Sequence, residues 1–297
     1  MAKKPVKCYL VDVFTDSPFK GNPALVCVLD EEEERDSEWM KSIAREFNVP
    51  MTCFLARIDE PDTAVVNPRF HLRWFTPLAL EVELCGHATL AAAHHLFANG
   101  LVRTETVEFS TLSGVLTARK LPDEAAADDN TFYVELDFPI IPISDMNCAG
   151  DDIPAAVAKC LNVAAASVVE ISRTAKGDLF VVLPSADAVV AADPDMDEIK
   201  KLSGKGMILT GSAPSQSGFN FFSRVFWPKM GVPEDPVCGS AHCALAHYWN
   251  KKLGKCDLVA YAASARGGVL KLHVDEDKQR VLIRGKAIAV MEGLVLV

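Results

Sequence analysis

The sequence lacks any block of lysine or arginine residues, and its 30 basic side chains are outnumbered by 40 acidic ones, for a net charge of −10. Nucleic-acid binding depends on clustered cations that displace counterions, so this composition argues against a nucleic-acid partner. No apolar run approaches the ~20 residues of a membrane-spanning helix. The N-terminus also lacks the long apolar stretch and cleavage site of a signal peptide. We therefore expect a cytoplasmic protein that binds neither nucleic acid nor membranes.

The spacing patterns of common metal and nucleotide sites are missing as well. CxxC, HExxH and EF-hand patterns are absent, and His242, Cys243 and His247 would not share one face of a helix, so we predict no metal site. The Gly-Lys-Gly segment at 204–206 completes neither a dinucleotide fingerprint nor a phosphate loop, and no Gly-x-Ser-x-Gly elbow occurs. The nine cysteines, an odd number with no regular framework, are expected to be free thiols.

The sequence does contain an internal repeat. The segment Cys85–Leu96 matches Cys238–Trp249 at six of twelve positions, and a Phe-x-Pro turn beginning at Phe75 or Phe226 precedes each copy. The copies lie about half the chain apart, and 297 residues fit two domains of about 150 residues each. The repeat therefore predicts two lobes of one design.

Each copy predicts a helix, over 87–98 and 240–250, because strong helix formers are followed by glycine where a C-cap belongs. The first helix is apolar almost all round and should be buried. Three further helices are predicted over 37–48, 153–162 and 195–203. The strand-like runs cover 7–13, 24–29, 52–58, 105–111 and 131–138 in the first half, and 167–172, 178–183, 206–210, 218–226, 268–274 and 279–284 in the second.

These patterns predict the α+β class, with two pseudo-symmetric lobes, each a barrel-like β-sheet around a central α-helix. The predicted lobes span 1–143 and 144–285. The acidic stretch near 122–130 is expected to form an exposed loop, and 145–152 the link between the lobes.

In each copy a Cys-Gly pair stands at or just before the start of the helix. Backbone N–H groups and the positive end of the helix dipole at such a position bind a carboxylate and lower the pKa of a thiol. Two such helix starts facing each other across a cleft between the lobes could move a proton off one side of a substrate carbon and replace it from the other. Cys85 and Cys238 are therefore candidate acid/base residues, although small buried cysteines can also serve packing alone.

Residues beside the cysteines are further candidates. Asp235 precedes the second Cys-Gly pair and could act as an acid or base, or only cap the helix. His87 occupies the position that Ser240 holds in the second copy, and its ring N–H could contact a substrate carboxylate or protonate an intermediate. A histidine at a helix start can also be a satisfied polar residue without a chemical role.

Several spaced motifs resemble the phenazine-biosynthesis PhzF-like family, which shares the diaminopimelate-epimerase fold. They run through the chain in the order Asp12-x-Phe14, Phe19-x-Gly21-Asn22-Pro23, Ile43-Ala44-Arg45-Glu46, Arg73-Trp74-Phe75-Thr76-Pro77, Cys85-Gly86-His87-Ala88-Thr89, Glu234-Asp235-Pro236-x-x-Gly239-Ser240-Ala241 and Arg266-Gly267-Gly268. The resemblance implies a last strand, about 286–297, that returns to the first lobe. It also implies a cofactor-independent isomerase or epimerase, commonly a homodimer, acting on a small carboxylate-bearing metabolite.

The resemblance assigns active-site roles to His87, Asp235 and Ser240, and it places the backbones of Gly86 and Gly239, together with Asn22, near the substrate. Two positions depart from the family pattern. Met51 stands where the family has a catalytic glutamate, and a thioether cannot transfer protons. Cys238 stands where many relatives have threonine; with Cys85 it matches the thiol pair of diaminopimelate and proline-type epimerases of the same fold.

Three interpretations follow from these residues. In the first, the protein is an isomerase that moves a proton next to a carboxylate, with Cys85 and Cys238 as the acid/base pair and Asp235 and His87 assisting. In the second, Asp235 and His87 perform the proton transfer and the cysteines are structural. In the third, the change to Met51 has left a non-catalytic protein that binds a metabolite or a partner.

Overall fold

The computed structural model describes residues 4–29, 36–58, 67–124, 131–145 and 153–296. Most of the predicted acidic loop at 122–130 and of the predicted link at 145–152 lies outside the described residues. The chain forms two compact units, Met1–Asp137 with Ile283–Val297, and Phe138–Leu282.

The first unit is a mostly β-structured body with two helices. Its elements are β1 (Val6–Val13), β2 (Asn22–Leu29), α1 (Ser37–Phe47), β3 (Met51–Arg57), β4 (Arg69–Phe75), β5 (Glu81–Val82), α2 (Gly86–Ala98), β6 (Thr106–Thr111), β7 (Gly114–Pro122), β8 (Phe132–Pro139) and, from the C-terminus, β18 (Ala287–Val295). Strand β1 pairs antiparallel with β2 on one side and with β18 on the other. The last strand of the chain thus belongs to the sheet of the first unit.

The second unit contains the remaining strands and four helices. Its elements are β9 (Ile143–Asp145), α3 (Ile153–Cys160), β10 (Glu170–Thr174), β11 (Leu179–Val182), α4 (Ala186–Ala191), α5 (Met196–Lys201), β12 (Met207–Ser212), β13 (Phe221–Trp227), β14 (Val232–Asp235), α6 (His242–Leu253), β15 (Asp257–Ala262), β16 (Gly268–Asp275) and β17 (Arg280–Gly285). Each division between the units falls inside a strand, one in β8 and the other in β17. Turn residues in the sequence therefore do not mark these divisions. The structural divisions, 137/138 and 282/283, accordingly fall before the 143/144 and 285/286 boundaries drawn from the sequence.

The strand pairing of the first unit recurs in the second. In the first unit, β2 pairs with β3 in parallel, β3 pairs with β4 antiparallel, and β4 pairs with β5 antiparallel and with β6 in parallel. In the second unit, β11 pairs with β12 in parallel, β12 pairs with β13 antiparallel, and β13 pairs with β14 antiparallel and with β15 in parallel. Hairpins β6–β7 and β15–β16 follow in both. The predicted fold class, with two pseudo-symmetric lobes, is confirmed.

Helix α2 forms the core of the first unit. Every residue from Gly86 to Phe97 is buried, as the apolar composition of the helix predicts. The helix packs against strands β1, β2, β3, β7 and β18, so the sheet wraps around it. On the outer face of the sheet, amphipathic α1 begins at the N-cap Asp36, whose carboxylate accepts a hydrogen bond from the Trp39 backbone N–H at 2.7 Å.

Sequence patterns located the long helices and most strands but overlooked short or polar ones. Strands β4, β5, β7, β9, β14 and β15 and helix α4 were not predicted. Strand β7 alternates buried with exposed residues only in part and includes Arg119 and Lys120, so its composition resembles a loop. Within the described ranges, every helix falls short of the length and hydrophobicity needed to cross a membrane.

Burial of four histidines makes the folded protein sensitive to acid. Desolvation lowers the pKa of His87 to about 3 and the pKa values of His94, His95 and His242 to about 4. The unfolded chain binds these protons near pH 6.5, so stability is lost as the pH falls from about 6.5 towards the folded-state values. We expect a loss on the order of 2 kcal/mol per histidine at pH 5.

Urea unfolding at a series of pH values between 7 and 5 measures this loss. The slope of the free energy of unfolding against pH gives the number of extra protons bound by the unfolded chain. The variant His95→Gln should reduce that slope by roughly one proton. The matched control is His71→Gln, whose side chain on β4 is exposed. An equal slope in the wild type and in His95→Gln would contradict the explanation.

Candidate active site

In the first unit, Cys85 is the N-cap residue of α2 and has an extended backbone (φ −142°, ψ 106°). Its carbonyl accepts two hydrogen bonds from Thr89, from the backbone N–H at 3.1 Å and from the hydroxyl at 2.6 Å. Its sulfur lies 3.4 Å from Nδ1 of His87. The thiol and the imidazole are thus held together at the N-terminus of a buried helix.

The ring of His87 is buried with one nitrogen still available. Burial lowers its pKa to about 3, so the imidazole is neutral at physiological pH. Among the described residues, nothing forms a hydrogen bond with its Nε2. A buried nitrogen without a partner is costly unless a ligand or water satisfies it. The neutral ring can exchange a hydrogen bond with a ligand through Nε2, and burial disfavours its cationic form.

In the second unit, Cys238 makes its contacts at the same chain spacings as Cys85. Its sulfur lies 3.5 Å from the hydroxyl of Ser240, two residues later. Its carbonyl pairs with Nδ1 of His242, four residues later, at 2.7 Å. The contacts of each cysteine with the residues two and four positions on are therefore repeated in both units, although the partner side chains differ.

The backbone after Cys238 differs from the first copy. Helix α6 begins only at His242, and the residues before it form a tighter turn in which the N–H of His242 donates to Gly239 at 3.0 Å and that of Cys243 to Ser240 at 3.2 Å. These i to i+3 bonds are typical of a 3₁₀ turn at a helix start. The prediction that the helix begins at residue 240 is therefore wrong, and Cys238 precedes a tight turn instead of capping α6.

Asp235 ends β14 and lies beside the second thiol. Its Oδ1 accepts a hydrogen bond from the Val237 N–H at 3.2 Å. Burial first, and then the negative charge of Asp235, hold the pKa of the Cys238 thiol well above its usual range. They outweigh the lowering effects of the Ser240 hydroxyl and the Ala241 N–H. The predicted lowering of the thiol pKa by the helix start is thus wrong for Cys238, because desolvation and a neighbouring carboxylate dominate.

An arginine–glutamate pair that was not singled out in the sequence leads into each cysteine. Arg73 binds Glu81 at 2.7 Å in the first unit, and Arg224 binds Glu234 at 2.7 Å in the second. Each guanidinium also lies over a phenylalanine ring two residues on, at 5.2 Å in the first unit and 5.1 Å in the second. The pairs fix strands β5 and β14, from which the chain enters the two cysteine turns. Comparison of the repeats, with Arg-x-Phe and then Glu in both, would have found them.

The remaining predicted residues have the following places. Gly86 is the first residue of α2, and Gly239 lies in the tight turn before α6; both are buried. Asn22 is buried at the start of β2. Met51 is buried at the start of the parallel neighbour β3, opposite Ala24, so Asn22 and Met51 lie on adjacent strands.

Each unit by itself therefore brings a thiol together with a second functional group. These are Cys85 with His87 in the first unit and Cys238 with Asp235 and Ser240 in the second. Over the described parts of the chain, no group of three or more His, Cys, Asp or Glu side chains is arranged to hold a metal ion.

Comparison with known proteins agrees with these observations. The sequence model of the phenazine biosynthesis-like proteins (PhzC-PhzF) matches residues 11–293. An uncharacterized isomerase of Halalkalibacterium halodurans is 36% identical over 289 residues, which cover 97% of each chain.

Solved structures show the same relationship. A PhzF-family protein of Enterococcus faecalis superposes with a TM-score of 0.83 and 37% identity, covering 99% of this chain and 100% of that one. A hydroxyproline epimerase of Agrobacterium vitis, solved with trans-4-hydroxy-L-proline, shares the fold at a TM-score of 0.56 and 13% identity, over 99% of this chain and 92% of that one. By sequence and by structure, the chain belongs to the phenazine biosynthesis-like (PhzF) family.

Proposed function

We propose that this protein is a cofactor-independent isomerase that moves a proton at a carbon next to the carboxylate of a small metabolite, with Cys85 and Cys238 as the acid/base pair. The observation that carries this proposal is the repeated setting of the two thiols. Each sulfur contacts the side chain two residues on, at 3.4 Å in the first unit and 3.5 Å in the second. Each cysteine carbonyl is also held by the side chain four residues on, at 2.6 Å and 2.7 Å.

The protonation of the second thiol suggests how the roles are divided. The high pKa of Cys238 keeps it a thiol at rest, beside the carboxylate of Asp235. When the substrate C–H proton moves to the Cys238 sulfur, the thiol proton passes to Asp235, so this pair gains one proton in total. Cys85 then gives its proton to the opposite face of the carbanion and becomes a thiolate. The next turnover, in the reverse direction or after exchange with water, restores both groups.

The rest of the site would bind and orient the substrate. The N-terminus of α2, at Gly86, favours a carboxylate through its N–H groups and dipole. His87 is neutral, and its Nε2 has no partner among the described residues, so it would donate or accept one hydrogen bond to the substrate. Gly239, Ser240 and Asn22 are proposed to complete the substrate contacts. From the family resemblance we further propose a cytoplasmic homodimer.

The names of relatives support the reaction class. The 36% identical relative is named an isomerase, and the A. vitis protein of the same fold is an epimerase solved with a hydroxyproline. Both names fit proton transfer at a carbon next to a carboxylate. The substrate of this chain is proposed only as a small carboxylate, because the fold alone does not select one.

A second candidate function uses Asp235 and His87 for the proton transfer, with structural cysteines. The observation that favours it is the high pKa of Cys238, because a buried neutral thiol beside a carboxylate can also be inert packing. Met51 in place of the family glutamate favours a third candidate, a non-catalytic metabolite-binding protein. The following experiments separate the three.

Replacing either cysteine by serine should abolish deuterium incorporation at the substrate carbon. A serine hydroxyl is a far weaker acid than a thiol and cannot serve as a base in a buried site. The measurement incubates a panel of α-amino and α-hydroxy acids, including the 4-hydroxyprolines, in D₂O and follows the mass increase. We expect the wild type to exchange at least one of them and Cys85→Ser and Cys238→Ser to lose at least about a thousandfold in rate, as for general acid–base groups.

The control is Cys256→Ser, because Cys256 is an exposed thiol of the same chain and should leave the exchange unchanged. Exchange that survives in both cysteine variants but is lost in Asp235→Asn would favour the second candidate. Tight binding of a panel member without exchange by the wild type would favour the third.

Removing the charge of Asp235 should make Cys238 react with iodoacetamide at lower pH. The carboxylate raises the thiol pKa, so Asp235→Asn should lower the midpoint of the alkylation rate against pH, while the contribution of burial remains. Peptide mass spectrometry gives the rate of each cysteine separately. Cys256 provides the internal reference, and an unchanged Cys238 midpoint would show that the two side chains do not interact as proposed.

Two-base chemistry requires both sulfur atoms to reach the same carbon, which corresponds to a gap of roughly 6–8 Å when each is at its near-attack distance. We expect 1,3-dibromoacetone to link Cys85 to Cys238, with a single cross-linked peptide pair found by mass spectrometry. The variants Cys85→Ser and Cys238→Ser should abolish this product. Single attachment to each cysteine, with no cross-link, would rule out the two-thiol mechanism.

A further inference from the structure

The second unit contains a cavity that the proposed isomerase chemistry does not use. Its volume is about 290 Å³, and its walls come from β9, β10 and the C-terminal half of α6. Among its lining residues is His247, more than two helical turns beyond Cys238. The cavity therefore lies apart from the second thiol.

One wall of the cavity carries a fixed negative charge. The Glu170 carboxylate accepts a hydrogen bond from the Tyr248 hydroxyl at 3.0 Å and another from the Ser172 hydroxyl at 3.1 Å. Both partners are neutral, and Glu170 forms no ion pair with any residue that the structure describes. The carboxylate is therefore oriented without being neutralised.

Two lysines of α6 bring positive charge to the lining. Lys251 and Lys252 occupy the last turn of α6 and both line the cavity. Neither lysine forms an ion pair within the described ranges. In a chain with a net charge of −10, two adjacent lysines without acidic partners are available to an anionic group of a ligand.

His247 also lines the cavity. Its Nδ1 is buried and has no hydrogen-bond partner in the described structure. Burial and the nearby Lys251 lower its pKa, so the ring is neutral. The equivalent residue of the first unit, His94, also has a buried Nδ1 with no partner in the part of the chain that the structure describes, but its ring stacks on Phe132 with centroids 5.1 Å apart. A side chain thus packs on this ring in the first unit, whereas in the second unit the ring faces a cavity.

We propose that this cavity binds a zwitterionic α-amino acid, with its ammonium group at Glu170 and its carboxylate at Lys251 and Lys252. An anion alone would meet the uncompensated charge of Glu170, and a cation alone would meet the lysines, whereas a zwitterion satisfies both walls. The site is independent of the proposed isomerase activity.

Calorimetric titration with three ligands of matched shape tests the site. L-leucine carries both charges, 4-methylpentanoate lacks the ammonium group and 3-methylbutylamine lacks the carboxylate. We expect L-leucine to bind in the millimolar range and each analogue to bind at least about tenfold more weakly, because each loses one charge-assisted contact. Equal binding of 4-methylpentanoate, or no binding of L-leucine at 50 mM or below, would overturn the proposal.

Variants then locate the binding. Glu170→Gln and the double variant Lys251→Met, Lys252→Met should each weaken L-leucine binding by about tenfold or more. Lys176→Met, an exposed lysine of the same unit, is the matched control and should leave it unchanged. Asp235→Asn should also retain binding, which separates this cavity from the proposed active site. Loss of binding in Asp235→Asn with retention in the cavity variants would place L-leucine at the active site and overturn the inference.

Discussion

The burial of helix α2 from Gly86 to Phe97 is the constraint on which the first half of the site depends. A helix that is apolar on all sides is stable only inside a sheet that surrounds it, and strands β1, β2, β3, β7 and β18 do so. Enclosing the helix also encloses its N-terminus, where backbone groups need partners. The Thr89 hydroxyl satisfies the Cys85 carbonyl, and His87 becomes a neutral ring with one nitrogen left for a ligand. The packing of this helix therefore also determines how its N-terminus is capped and which groups are left to contact a ligand.

The two units share a backbone arrangement around the cysteine but place different side chains beside it. Cys85 and Cys238 have matching contacts, and an arginine–glutamate pair fixes the strand before each. The first thiol, however, lies beside a neutral imidazole, whereas burial and then the Asp235 carboxylate raise the pKa of the second. The symmetric scaffold thus gives the two thiols unlike neighbours. Such a difference is what a reaction needs if one group accepts a proton and the other donates it.

The sequence predicted those features whose signal is local or repeated. Two helices rich in alanine and half a chain apart are visible without a structure, and they lead directly to two lobes of one design. The short strand β14 escaped because its residues become strand through pairing with β13, which the local pattern does not contain. Strand β15, which pairs with both β13 and β16, was also missed. The pKa of Cys238 could not be predicted, since it depends on how deeply the turn is buried and on Asp235. The position of a thiol at a helix start indicates only the effect of the helix N-terminus on its pKa, and not the effects of burial or of a neighbouring carboxylate.

Met51 shows how the departures from the family pattern fit together. Its strand β3 is a buried parallel neighbour of β2, so a glutamate at this place would need a proton or a partner to be tolerated. The thioether avoids that cost and leaves the first unit with Cys85 and His87 as the groups at the helix start. A proton acceptor lost from the first unit would have to be replaced by another group, and the thiol of Cys238 beside Asp235 is a candidate in the second. Under this explanation the substitutions at positions 51 and 238 are linked, because a chain with only the first would have lost a base without gaining a thiol.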